Sequence, residues 1–398
     1  MQVPVNVSME ILDWVIAHIK IDALPNQIRE YLNLWVNGEK EPTFNQVEKV
    51  SKATGIPLGY FFLQTPPIED LSIVEYRTID SIELKNPSRN LIDTLHDMDQ
   101  VQTWMHEYLV SEANSPLAFV GGLKSVSSFE MFAQKVRSLL GISYEWYKNT
   151  RTVEESFSLI RTVISNAGVI VMMSGIVGNN THRPLDVEEF RAFSVIDAYA
   201  PLIFINSNDS INGRLFSLLH EFSHICIGEN SLFNDRYSTG KKVNKTETLC
   251  NAVAAEILVP QTAFINSWNL AIKENDVEQA IEILVREFKC GITVIARKAY
   301  DSGFIDYQLY QKIAKRAVKL YNDSRKRKKE QGESGGDFYR TAASRIDKRF
   351  FSMLVGSVQE GKTLYTDAYR LTNTNRSTFA NLAGSVGGGT KGSAENFV

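Results

Sequence analysis

Two of the six histidines lie four residues apart, and a glutamate directly follows the first of them. These residues are His220, Glu221 and His224. On an α-helix, residues i and i+4 lie on one face, so both imidazoles can reach a single Zn²⁺ at about 2.0–2.1 Å. Glu221 then lies beside the metal, where a general base can deprotonate a metal-bound water. The spacing therefore predicts a hydrolytic Zn²⁺ centre with two histidine ligands and Glu221 as catalytic base; Mn²⁺ is the alternative metal.

A third protein ligand is expected, because catalytic zinc usually takes three together with one water. The apolar segment 246–260 is typical of a helix and carries two acidic residues, Glu247 and Glu256. They are nine residues apart and so point to opposite faces of that helix. Glu247 shares its face with Asn251 and Ala254, whose small side chains allow close approach to another helix. This pattern favours Glu247 as the ligand and leaves Glu256 as a solvent-facing or cap-region charge.

Other residues near the motif are weaker ligand candidates. Glu229 and Asp235 lie in the intervening loop. Cys226 and Cys250 are also candidates, because cysteine thiolates bind zinc in other proteins. Both cysteines lie in apolar helical segments, which is typical of buried free cysteine.

The elements that must hold the motif are three candidate strands followed by two candidate helices. Segments 169–173, 190–195 and 201–206 are rich in β-branched and aromatic residues and favour buried strands. Segments 214–228 and 246–258 favour helices. We expect the strand just before the motif to be an edge strand, to which an extended peptide substrate adds at Leu202–Asn206. Leu202, Phe204 and Asn206 are therefore the candidate substrate-binding residues.

The composition excludes several classes of protein. The chain has 398 residues, a formal net charge of −3 and three cysteines without a CxxC motif. It is therefore not basic overall, and it is no disulfide scaffold. No apolar run approaches the roughly 20 residues of a membrane span, and Glu10 and Asp13 stand where a secretory signal would be basic or apolar. We expect a cytoplasmic protein without membrane contact.

The pattern predicts a mainly α protein with a small β-sheet, of the α+β class. Prolines, glycines and charge runs divide the chain into six candidate regions. These are an N-terminal helical domain (1–67), a helical connecting region (68–164), a core that contains the motif (165–321), a basic linker (322–336), a C-terminal helical unit (337–384) and a flexible tail (385–398).

Several motifs together resemble the ImmA/IrrE family of zinc metallopeptidases. They are FRAF at 190–193, APLIFIN at 200–206, LFSLLHEFSHICIG at 215–228 and ETLCNAVAAEILVP at 247–260. The resemblance covers roughly residues 165–310 and implies a zincin-like core. It also implies that His220, His224 and Glu247 bind the metal and that Glu221 is the catalytic base.

The first 67 residues resemble an Xre-type helix-turn-helix domain, as in family members fused to such a domain, and 337–382 resembles a C-terminal extension found in these fusions. The residues that carry the N-terminal resemblance are Trp35, Gly38, Pro42, Thr43, Gln46, Val47, Pro57, Phe61, Phe62, Pro66 and Pro67. Acidic residues in this region roughly balance the basic ones, so a surface that faces phosphates is not evident. Two roles for 1–67 therefore remain open: contact with DNA, or docking or dimerisation as a helical module.

The resemblance implies an endopeptidase that cleaves one partner regulator, an Xre-type repressor or an antitoxin, and thereby controls gene expression or a toxin–antitoxin, defence or mobile-element response. The alternative is a non-proteolytic regulator or toxin–antitoxin component that binds DNA or a partner and retains the metal site. The presence of Glu221 favours the enzyme, because a structural metal site does not need a base beside it.

Overall fold

The computed structural model describes residues 4–19, 21, 24–67, 87–233, 245–330 and 338–386. Asp235, the end of the predicted basic linker and nearly all of the predicted tail lie outside those residues. The chain forms two compact units. The first comprises Met1–Gln100 with Gly175–Leu185, and the second comprises Val101–Ser174 with Asp186–Val398.

The first unit begins with helices packed around a small apolar core. Its elements are α1 (Met9–Ala17), α2 (Asn26–Val36), α3 (Phe44–Thr54) and a 3₁₀-helix (Leu58–Phe62). Thr43 opens α3 with a capping box, in which its backbone N–H donates to Gln46 Oε1 at 3.0 Å. Gly55 ends α3 in the left-handed conformation, with φ of 75°.

Arg183, from the second chain segment of this unit, connects it to the residues before Gln100. Its Nη2 donates to Asp93 Oδ2 at 2.7 Å and its Nε donates to Asn90 Oδ1 at 3.0 Å. Its guanidinium also lies against Gly55, where there is no room for a Cβ. The segment Gly175–Leu185 is therefore an integral part of the first unit.

The second unit contains a mixed four-stranded sheet within the part of the chain that the structure describes. The strands are β1 (Ile170–Ser174), β2 (Ala192–Val195), β3 (Leu202–Asn206) and β4 (Ser231–Phe233). Their order is β1-β3-β2-β4. Strands β1 and β3 are parallel, whereas β2 is antiparallel to both β3 and β4.

The topology contradicts the edge position expected for Leu202, Phe204 and Asn206. Strand β3 lies between β1 and β2, its backbone pairs on both sides, and all five of its residues are buried. The side chain of Asn206 donates to the Phe190 carbonyl at 3.1 Å. A substrate strand cannot pair with β3, and these residues belong to the core.

The other main elements from residue 89 onward are helices. Helix α4 (Arg89–Ser111) contains the boundary between the units at Gln100. The helices that follow are α5 (Phe129–Leu140), α6 (Val153–Asn166), α7 (Ile211–Ile227), α8 (Lys245–Leu258), α9 (Gln261–Ala271), α10 (Val277–Phe288), α11 (Ile292–Asp301), α12 (Tyr307–Glu330), α13 (Phe338–Arg345), α14 (Lys348–Gln359), α15 (Tyr365–Leu371) and α16 (Arg376–Val386). The observed architecture is mainly α with a small β-sheet, as the sequence predicts. Helix α12 continues to Glu330, so the first part of the predicted linker is helical.

No single helix among the described residues is long and apolar enough to cross a membrane. The bent pair of α8 and α9 meets the length and composition criteria only when the two helices are taken together.

The outer edge of β1 is covered by Arg161 of α6 and by Asp347, which directly precedes α14. The buried Asp347 accepts a hydrogen bond from the Val171 N–H at 3.2 Å and caps α14 by accepting one from the Phe350 N–H at 2.9 Å. Arg161 donates to the Val171 carbonyl at 2.9 Å and to the Ile346 carbonyl at 3.2 Å. Because an exposed edge strand invites pairing with other chains, this contact protects the sheet.

We expect Asp347→Ala to destabilise the protein by about 1–3 kcal/mol, because it removes a helix cap and leaves a buried strand N–H without its acceptor. Urea unfolding measures the change. Asp276→Ala is the matched control, since Asp276 caps α10 at the surface and contacts no strand edge in the described residues. A loss for Asp347→Ala no larger than for Asp276→Ala would contradict the edge contact.

Candidate metal centre

Helix α7 carries the His-Glu-x-x-His motif through the centre of the second unit. From Leu215 to Ile227 it is almost wholly buried, and most of its side chains are apolar. A helix that is apolar on nearly all faces lies inside a protein core. Ser210 caps its N-terminus by accepting a hydrogen bond from the Gly213 N–H at 3.0 Å. The three polar residues of the motif are therefore buried among apolar side chains.

Both ends of α7 are fixed by close approaches that only glycine permits. At the N-terminus, a Cβ on Gly213 would collide with the carboxylate of Asp209, which Arg191 holds with hydrogen bonds of 2.8 and 2.9 Å. At the C-terminus, Gly228 has φ of 84°, and a Cβ there would lie 2.9 Å from the Cα of Gly121. These contacts fix the helix along its axis.

The structure brings His220, His224 and Glu247 together. The Nε2 atoms of His220 and His224 are 3.1 Å apart. Glu247 places one carboxylate oxygen 3.3 Å from His220 Nε2 and the other 3.2 Å from His224 Nε2. Ligand atoms about 2.0–2.1 Å from a tetrahedral Zn²⁺ are separated from one another by about 3.3 Å. The two histidine nitrogens and the Glu247 carboxylate are therefore close enough to hold one zinc ion, since one ligand atom from each residue lies within 4.8 Å of the others.

Helix α8 supplies Glu247 from its first turn. Its side chains Cys250, Val253, Ala254 and Ile257 are buried in the core that includes α7. Glu247 itself remains 39% exposed. A carboxylate at the rim of a buried histidine pair leaves the site reachable from outside, which a catalytic site requires.

The other acidic residue of α8, Glu256, lies in a separate buried cluster. It accepts hydrogen bonds from the Gln261 N–H at 3.1 Å and from Lys298 Nζ at 2.6 Å, and Arg137 Nη2 lies 3.8 Å from its Oε1. The expectation that Glu256 caps a helix end is right, because its carboxylate caps α9. The expectation that it faces solvent is wrong, because its side chain is only 5% exposed.

Glu221 is completely buried beside the histidine pair. Burial raises the pKa of Glu221 to about 7, although the charge of His224 and the hydroxyls of Ser194 and Ser231 act in the opposite direction. Ser231 Oγ lies 3.5 Å from Glu221 Oε1. A carboxyl group with a pKa near neutrality is suited both to accept and to donate a proton.

The three candidate ligands, together with burial, shift one another's pKa values. Burial lowers the pKa of His220. Burial also acts to lower the pKa of His224, but hydrogen bonds with Cys250 and Glu247 outweigh it and hold that pKa well above the usual value of 6.5. The two imidazoles lower the pKa of Glu247 against the opposing effect of burial. The raised pKa of His224 and the lowered pKa of Glu247 both favour an ion pair between these two side chains.

The remaining sequence candidates do not join this group in the part of the chain that the structure describes. Glu229 follows the end of α7, and its backbone N–H donates to the His224 carbonyl at 3.2 Å. Cys226 and Cys250 are buried free thiols. Cys250 contacts His224 without joining the cluster of ligand atoms. The sequence does not identify Ser194 and Ser231 as neighbours of Glu221, because single serines in apolar strands carry no spacing signal.

Two family models match the chain. Residues 175–300 match the model described as the IrrE N-terminal-like domain, of peptidase family M78. Residues 346–385 match a domain of unknown function, DUF8813. No curated protein and no solved structure matches the chain. The first match contains the whole candidate centre and supports an ImmA/IrrE-type metallopeptidase for about a third of the chain.

We expect Glu247→Gln to weaken zinc binding by about 100-fold or more, because it removes the charged member of the ligand set. Competition with a chromophoric chelator measures the affinity. Glu256→Gln is the matched control: it lies on the same helix, keeps an acceptor for Gln261 and should bind zinc as the wild type does. If Glu256→Gln lost zinc while Glu247→Gln retained it, the ligand assignment would be reversed.

Zinc affinity should fall as the pH falls, because zinc displaces the proton of His224, whose pKa is raised in the metal-free protein. The loss should approach about tenfold per pH unit for each proton displaced. Chelator competition between about pH 8 and about pH 4.5 measures this dependence, and calorimetry in two buffers counts the released protons. An affinity independent of pH over this range would contradict histidine ligation.

Proposed function

We propose that the protein is a zinc-dependent endopeptidase. The observation that carries this proposal is the convergence of His220, His224 and Glu247 within 3.1–3.3 Å of one another, beside the buried carboxyl of Glu221. The match of 175–300 to a peptidase family model supports the same reaction class. A purely structural zinc site would have no use for a buried base next to the ligands.

The proposed reaction assigns separate roles to the metal and to the chain. When bound, Zn²⁺ supplies a Lewis acid that polarises the scissile carbonyl and makes water more acidic. Glu221 accepts the proton of the attacking water and then donates it to the leaving amine. Its pKa of about 7 suits both transfers at neutral pH.

An extended substrate cannot pair with β3, the strand that the sequence indicated, and must pair with a strand at the edge of the sheet. We assign it to β4, which stands last in the strand order and contains Ser231 beside Glu221. The opposite edge, at β1, is covered by Asp347 and Arg161. An extended peptide that pairs with β4 would pass close to the base, as cleavage of an internal peptide bond needs.

We further propose that the substrate is a partner regulator, an Xre-type repressor or an antitoxin, and that its cleavage in the cytoplasm changes gene expression. The resemblance of 1–67 to an Xre-type helix-turn-helix domain and of 165–310 to ImmA/IrrE peptidases supports this proposal. The first unit then serves to dock the partner or to contact DNA.

Co-expression with the products of adjacent genes tests the proposal. We expect a new fragment with the wild type and none with Glu221→Gln, because the variant keeps the ligands and loses the base. Mass spectrometry of the new termini locates the scissile bond, and metal analysis checks that both forms hold zinc. If no fragment forms and both forms bind the neighbouring protein or the promoter equally, the protein is a non-proteolytic regulator.

A further inference from the structure

Two buried serines lie opposite each other on neighbouring strands of the sheet. Ser194 of β2 and Ser231 of β4 are register partners in an antiparallel pair, and their residues are 0% and 3% exposed. Side chains directly opposite in such a pair point to the same face, with Cβ atoms about 4.5–5.5 Å apart. Both hydroxyls therefore project from one face of the sheet, whereas the adjacent pair Phe193 and Leu232 points to the other face.

Helix α7 places Glu221 over this pair. Ser231 Oγ lies 3.5 Å from one carboxylate oxygen, Oε1. The other oxygen, Oε2, and Ser194 Oγ are both buried, and neither has a hydrogen-bond partner among the described residues. A serine hydroxyl rotates freely about its Cβ–Oγ bond and can donate to a nearby acceptor. The Ser194 hydroxyl can therefore donate to Glu221 Oε2, since the two residues lie on adjacent elements.

We propose that Ser194 and Ser231 are positioning residues that hold the carboxylate of Glu221 between them, one hydroxyl to each oxygen. A carboxylate has about four lone-pair sites, so two remain for the proton that is transferred. The serines fix the orientation of the base toward His220 and His224 without touching the substrate. The catalytic consequence rests on the proposed peptidase function, whereas the contact itself does not.

A buried serine of α7 makes a different contact and supplies a control. Ser223 of α7 is 0% exposed, and its Oγ donates to the Leu219 carbonyl of its own helix at 2.8 Å. Ser223→Ala therefore removes one buried hydroxyl from α7 without removing a donor to Glu221.

Infrared spectroscopy tests the contact in the full-length, metal-free protein with ¹³C-labelled glutamate carboxylates. The difference between wild type and Glu221→Gln isolates the bands of Glu221. Ser194→Ala and Ser231→Ala should each shift its antisymmetric carboxylate stretch, and the double variant should shift it further. Ser231→Thr, which keeps the hydroxyl, and Ser223→Ala should retain the wild-type band. An unshifted band in the double variant would overturn the proposal.

Kinetic measurements with the substrate identified by co-expression test the effect of the two serines on catalysis. The double variant should lose about tenfold or more in kcat, as a misplaced catalytic group does, while KM and zinc content stay within about twofold of the wild type. A parallel loss of zinc, or a change in KM alone, would show a structural role and overturn the proposal. If the wild type cleaves nothing, the peptidase function fails, and the infrared result still decides whether the serines hold Glu221.

Discussion

The centre depends on one constraint: polar side chains in the middle of an apolar core must find partners. A buried polar group without a hydrogen bond costs free energy, and a buried charge costs more. Helix α7 buries His220, Glu221 and His224 in the core. Glu247 from α8 meets the histidines, and Ser231 from β4 meets Glu221. The neighbouring elements thus supply the polar groups that the motif requires.

The local part of the centre could be predicted from the sequence, because it depends on spacing within single helices. The i and i+4 relation brings the two histidine rings together, with Nε2 atoms 3.1 Å apart. Because Glu247 and Glu256 lie on opposite faces of one helix, only one of them could be a ligand. In the structure Glu247 contacts the histidines, whereas Glu256 pairs with Lys298. The region 1–67, which the sequence indicated to be helical, contains α1, α2 and α3.

The non-local part could not be predicted in this way. Strand β3 is the nearest strand before the motif in sequence, yet it lies inside the sheet, because β1 pairs with it from a distant part of the chain. The pairing of Ser194 with Ser231 depends on a register between β2 and β4 that no spacing encodes. The buried partners of Glu256, Arg137 and Lys298, come from two other helices. Each of these features depends on how distant segments meet.

The composition of the first unit has a consequence for synthesis of the protein. Arg183 binds Asp93 and Asn90 and covers Gly55, so this unit draws on a segment about 75 residues beyond Gln100. Domains generally fold as units while the chain emerges from the ribosome. The first unit cannot be complete when its N-terminal helices emerge, since Arg183 is translated only after α4, α5, α6 and β1. Its final consolidation must wait until β1, the first strand of the sheet in the second unit, has been made.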